Sequence, residues 1–137
     1  LYNYTRYEKS IGHIINNEVD GMLYDVVEIE KDEVTKNNKI LINHSEGYAI
    51  LNNENKWDTD SNNILDELNV YLAFSEDLKI NADKDQFSYH VIDEKGIQLI
   101  TFKYVETETI TIEGVSFDSI KFLSPELKQL KSMTSNA

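Results

Sequence analysis

The chain contains no cysteine. That excludes disulfides, thiolate zinc sites and cysteine nucleophiles, and it leaves the compartment open. A single proline and five glycines argue against a loop-dominated or low-complexity fold. No apolar run approaches the roughly 18 residues that a membrane span needs, and no signal peptide is visible. Basic residues are also scarce: 13 Lys and Arg stand against 25 Asp and Glu, for a net charge of −12. Such a surface repels nucleic-acid phosphates and anionic lipid headgroups. It suits solubility, divalent cations or a basic protein partner. At 137 residues, with eight Tyr and five Phe, the chain is long enough for one core, and it reads as a single domain over 1–137.

Periodicity assigns a helix to the first third. Tyr4, Tyr7, Ile11, Ile15, Val19, Met22, Val26 and Ile29 recur three or four residues apart, with a polar face between them. A continuous helix over 1–33 would be about 50 Å long and would project beyond the globule at its N-terminus. "EKDEVTKNNK" reads as its stop. "KILIN" and "GYAILN" read as short strands, "NENKWDTDSNN" as a polar loop, and Asn63 to Phe74 as a second helix. The period then changes to two. "FSYHVID", "IQLITFKYV", "TITIEG" and "VSFDSIKFL" read as an antiparallel meander of about four strands, with turns at Gly96 and Gly114. "SPELKQLKSM" reads as a closing helix capped by Ser124 with Pro125 at its first position. The expected fold class is α+β: a long N-terminal helix laid on a β-meander, with a second short helix.

Site-like signals are few. Asp58, Asp60 and Asn62 fall at alternate positions, with Asp66 four later, which is the rhythm of a calcium loop. Asn69 stands where that loop needs a bidentate glutamate, so Asp66 or Glu67 would have to compensate. The competing reading is a helix cap. His13, His44 and His90 show no ligand or catalytic spacing, and adjacent His44, Ser45 and Glu46 cannot form a triad among themselves. Glu28, Glu30, Asp32 and Glu33 crowd the end of the first segment, either as a solvated acidic stretch or as a docking patch for a basic partner. Tyr4 and Tyr7 read as aromatics beyond the main core, available to solvent or another chain. No phosphate-cradling loop, dinucleotide fingerprint or nucleophile elbow is present, and no cofactor is expected.

Three segments, "YEKSIGHIINNEVDGMLYDVV", "ILDELNVYLAF" and "FSYHVIDEKGIQLITF", together resemble the layout of pilin-like proteins and, within that class, the single-pass, Tad-type minor pilins and related surface proteins of Gram-positive bacteria. The element order also resembles cystatin-like or NTF2-like domains. These likenesses imply a non-enzymatic, extracytoplasmic interaction or structural module of a surface or secretion assembly. It would sit at the cell surface and touch membrane only through a segment upstream of Leu1. The acidic composition supports an alternative: a small cytosolic inhibitor, of the immunity or phage type, that binds a basic protein.

Overall fold

The computed structural model describes residues 3–123. It is built mainly of strands. In chain order these are β1 (Tyr4–Ile15), β2 (Glu18–Glu30), β3 (Glu33–Asn43), β4 (Tyr48–Leu51), β5 (Asn55–Asp58) and β6 (Ile64–Asp66). One helix, α1 (Asn69–Ile80), follows, and then β7 (Gln86–Asp93), β8 (Gly96–Ile112) and β9 (Val115–Leu123). Strands β1 to β5 form one antiparallel sheet in sequence order, and β6, β7, β8 and β9 form a second. By its internal contacts the chain divides into two compact units, Leu1–Ala82 with Tyr89–Leu99, and Asp83–Ser88 with Ile100–Ala137.

The α+β expectation with a long leading helix is therefore corrected. Residues assigned to a helix over 1–33 form β1, β2 and the start of β3. Two-residue turns do the folding. Asn16 and Asn17 both adopt positive φ, as do Lys31 and Asp32. Both central residues of a type I′ hairpin turn need that conformation, and Asn and Asp tolerate it best among side-chain-bearing residues.

A bulge explains the false helical period. The register of β1 against β2 shifts between Ile11 and Gly12, so that Ile11 faces Leu23 but Gly12 faces Gly21, leaving Met22 as the extra residue. Inward-facing positions on β2 thus run Val19, Gly21, then Tyr24 and Val26. The skip of three imitates a helical turn. Of the expected stripe, Val19 and Val26 are buried, whereas Ile15 and Met22 are exposed.

The other elements shift more modestly. The second helix begins at Asn69 rather than Asn63, and the supposed polar loop contains β5. "IQLITFKYV" and "TITIEG" belong to one long strand, β8, so the meander is β7, β8 and β9, with β6 added parallel to β7. The closing helix proposed after Ser124 lies outside the described residues.

In the first unit, the inner face of the five-stranded sheet carries the core. Tyr24, Val26, Ile40, Ile42, Ala49 and Leu51 pack with Ile64 and Ile92, and Trp57 and Ile97 close over them. Burying each of the Val, Leu and Ile side chains among them is worth about 1.5–3 kcal/mol. Trp57 lies so close to Gly96 that an added Cβ there would stand 3.0 Å from its indole nitrogen. In the second unit Phe87, Ile100 and Phe102 are buried, and Ser88 hydrogen-bonds Thr101 at 2.8 Å.

Candidate binding groove beside the β1 edge

Among the described residues, strand β1 is the terminal strand of its sheet. The phase of its ladder follows from one bond. Lys31 N–H donates to the Asn3 carbonyl at 2.9 Å, which makes Asn3 and Lys31 a hydrogen-bonded pair. Along the uninterrupted register, Thr5, Tyr7, Lys9 and Ile11 are then the residues bonded to β2. Tyr4, Arg6, Glu8 and Ser10 turn their backbone N–H and C=O away from it. An edge of 12 residues with outward groups is a ready template for another strand.

The same alternate residues of β1 point their side chains to the inner face, toward α1. Ser10, Gly12, His13 and Ile14 line a cleft of about 470 Å³ together with Val19, Leu68, Asn69 and Leu72. The size lies in the range of ligand sites, roughly 300–1,000 Å³. The lining is mostly aliphatic, and Ile14, Leu68 and Leu72 are each more than 40% exposed. Gly12 adds no side chain to the wall.

Asp66 fixes the helix that forms the far wall. Its Oδ1 accepts from Leu68 N at 2.8 Å and Asn69 N at 2.7 Å, which satisfies two donors at the start of α1. Its Oδ2 accepts from Ser10 Oγ at 2.5 Å, which ties the helix start to β1. Asn69 Oδ1 in turn accepts from Asp66 N at 2.8 Å, while Asn69 Nδ2 is buried with no hydrogen-bond partner. Asp66 is fully buried, and desolvation pushes its carboxyl above the ordinary range against the pull of these three bonds.

Toward its N-terminal end, β1 is held by a polar network. Arg6 Nε pairs with Glu8 Oε1 at 2.9 Å, and its Nη1 pairs with Glu28. Tyr24 OH donates to Glu8 Oε2 at 2.8 Å. The hydrogen bond to Glu8 holds the Arg6 pKa above its usual value, in spite of desolvation. Burial alone would raise the Glu8 pKa, but the bonds from Arg6 and Tyr24 overcome it and hold the carboxyl below the ordinary range. Tyr24 is pushed up, first by burial and then by its bond to Glu8.

The structure distributes the candidate residues unevenly. Asp58 Oδ1 accepts from Asp60 N at 2.7 Å, a local turn, and Asp60 and Ser61 have positive φ. Asn62 N donates to the Thr59 carbonyl. Asp66 is committed to α1 and Ser10, away from that turn. Among the described residues no three His, Asp or Glu side chains gather where they could hold a metal ion. Glu67 is exposed; desolvation and then Asp93 push its pKa up, while Lys36 and Arg6 pull it down. His13 faces Asp20 across the β1–β2 hairpin, and His44 Nε2 donates to the Gly21 carbonyl at 2.6 Å. His90 pairs with Ile64 in the second sheet.

Tyr4 and the four carboxylates, by contrast, gather at one end of the first two hairpins, whereas Tyr7 lies on the opposite face of β1. Tyr4 faces Glu30, Arg6 faces Glu28 and Tyr7 faces Val27 across the first hairpin, and Glu30 faces Glu33 across the next. Tyr4 and Tyr7 are 46% and 62% exposed, on a strand rather than a projecting helix. The cleft residues Ser10, Ile14, Leu68 and Leu72 were not singled out by sequence. Ile14, Leu68 and Leu72 are apolar yet exposed, which acquires meaning once β1 and α1 lie side by side.

Compared with protein-family models, with curated proteins and with solved structures, the chain matches none.

Proposed function

We propose that this chain is a non-enzymatic interaction module that captures an extended segment of a protein partner along β1. The observation that carries the reading is the open edge of β1 standing beside an apolar cleft walled by α1. Added main-chain bonds would supply affinity, and alternate side chains entering the cleft would supply selectivity. A surface or secretion assembly, in which subunits are joined by exchanged strands, is a setting that fits this chemistry. The acidic inhibitor reading draws on the same surface, since its basic partner would meet Glu28, Glu30, Asp32 and Glu33.

A displayed library of random dodecapeptides, selected against the chain, tests the reading. Two variants separate the two halves of the site. Ile14→Pro removes an N–H that the hairpin phase turns outward, at an exposed edge position where proline is tolerated. Leu72→Asp puts a charge on the exposed cleft wall. Selected peptides should lose about tenfold or more in affinity for either variant. A selection that yields no binders, or binders indifferent to both substitutions, would refute the proposal.

A further inference from the structure

The turn after β3 and the loop after β5 enclose a second cleft, of about 530 Å³, that strand capture does not use. Asp20, His44, Glu46, Gly47, Thr59 and Asn63 are among its lining residues, and no Lys or Arg is. Thr59 is only 3% exposed. Its backbone is committed: Thr59 N donates to the Gly47 carbonyl at 3.0 Å, and its carbonyl accepts from Asn62 N at 2.9 Å. Its hydroxyl, however, makes no hydrogen bond among the described residues. Gly47 has φ +75°, and a Cβ built there would meet a single atom within 4 Å, the Thr59 Oγ1 at 3.9 Å. The absent side chain therefore leaves open space in front of a buried, unpartnered hydroxyl.

The rest of the wall is short of donors. Asn63 Nδ2 donates to the Val19 carbonyl at 2.8 Å, which fixes the amide orientation. The buried atom left without a partner is thus Oδ1, an acceptor. His44 spends Nε2–H on the Gly21 carbonyl, so the other nitrogen of the neutral ring is also an acceptor. Asp20 and Glu46 form no ion pair among the described residues, and His13, which faces Asp20 across the hairpin, forms none with it. A metal ion would find only two carboxylates, since no three His, Asp or Glu side chains gather where they could hold one. Acceptors without donors, and negative charge without positive, call for a ligand that brings N–H groups and a positive charge.

A third cleft, of about 640 Å³, adjoins this one and shares Asp20, His44 and Ser45 with it. Its other walls include Met22, Leu41, Tyr48 and Ile50. Leu41 and Ile50 are register partners and so share a face. We infer that the joined clefts bind a small aliphatic amine, with its ammonium among Asp20, Glu46 and Thr59 and its hydrocarbon chain along Met22, Leu41 and Ile50. Each cleft lies within the size range of small-molecule sites, roughly 300–1,000 Å³, which favours a free amine over one side chain of a partner. The site is independent of the β1 edge and of strand capture.

Amide chemical shifts followed during titration with n-pentylamine, at constant ionic strength, test this. Pentylamine should move the amides of Asp20, Glu46, Gly47 and Thr59 and saturate with a Kd of about 1 mM. n-Pentanol keeps the chain without the charge, and pentyltrimethylammonium keeps the charge without N–H donors. Each should bind about fivefold or more weakly. Glu46→Gln and Thr59→Val should each weaken pentylamine binding by about fivefold, and Leu41→Ser by about threefold. Glu46 is exposed, so its variant keeps the test decisive if Thr59→Val does not fold. Glu33→Gln, an exposed carboxylate outside both clefts, should leave binding unchanged. No shift at these amides, equal binding of the three probes, or equal effects of Glu46→Gln and Glu33→Gln would overturn the proposal. Tighter binding of a capped Ala-Lys-Ala tripeptide than of pentylamine would overturn the free amine as occupant. Displacement of pentylamine by calcium at equal concentration would overturn it in favour of a metal ion.

Discussion

Gly12 is the position where a single methyl group should do most damage. A Cβ built there would lie 1.9 Å from the Asp20 carbonyl oxygen and 3.0 Å from its carbon. Both are backbone atoms, so no side chain can swing aside. Restoring an ordinary contact of 3.4 Å requires the strands to part by 1.5 Å, the difference between 3.4 and 1.9. Cross-strand bonds near 2.9 Å would stretch beyond useful range on both sides of the bulge. Losing two to four of them costs about 1 kcal/mol each, and replacing Gly by Ala in a strand returns roughly 0.5–1 kcal/mol. Gly12→Ala should therefore destabilise the chain by about 1–3.5 kcal/mol, which lowers Tm by about 4–14 °C at this chain length. Gly21→Ala, whose added methyl meets three atoms at 3.1 Å, is the milder comparison. Circular dichroism melts of both variants decide the matter. If Gly12→Ala melts within about 2 °C of the parent, the close approach of β1 and β2 at the bulge is wrong.

Asp66→Ala removes three hydrogen bonds and leaves the start of α1 uncapped, so it should cost about 3 kcal/mol in urea unfolding. Asp66→Asn keeps an acceptor and isolates the charge. Because the folded-state pKa of Asp66 is raised above 3.8, its contribution to stability is full below that value and is lost as pH rises through the folded pKa. Asn does not titrate, so the stability of Asp66→Asn relative to the parent should improve as pH rises from about 3.8. A relative stability that is flat or falls with pH would show that burial does not dominate at Asp66. Met22 is the bulge residue and 39% exposed, so Met22→Asp should change Tm by less than about 4 °C, the equivalent of 1 kcal/mol. A loss of several kcal/mol in a thermal melt would mean that Met22 is buried, as the helical reading required.

Much of the second half was legible. "FSYHVID" and the strands after it are rich in β-branched and aromatic residues, and Gly96 and Gly114 occupy the turns with positive φ. The first 33 residues were not, for three physical reasons. The inner face of β1 is polar, Arg6, Glu8 and Ser10, and its satisfaction by Tyr24, Glu28 and Asp66 is long-range. No local pattern reveals such partners. The bulge at Gly12 and Met22 changes the phase of the buried residues partway along the hairpin and makes a period of two resemble a helical one. Finally, Asn16-Asn17 and Lys31-Asp32 are turns without the glycine that usually marks them. The richness in Tyr, Ile, Val and Thr was the available counter-signal. For the candidate site, the two tyrosines and the four carboxylates were picked out as separate features. Only the hairpin sets Tyr4 beside Glu30, and it leaves Tyr7 on the other face of the strand.

The most direct test of the account is residue-resolved amide hydrogen exchange along β1, free and with a dodecapeptide selected against the chain. In the free chain, Thr5, Tyr7, Lys9 and Ile11 should exchange slowly and Tyr4, Arg6, Glu8 and Ser10 quickly, an alternation of period two. Peptide binding should slow the fast set and leave the slow set as it was. Uniform protection of both sets in the free chain would mean that the β1 edge is covered or helical, and would contradict the account at its root.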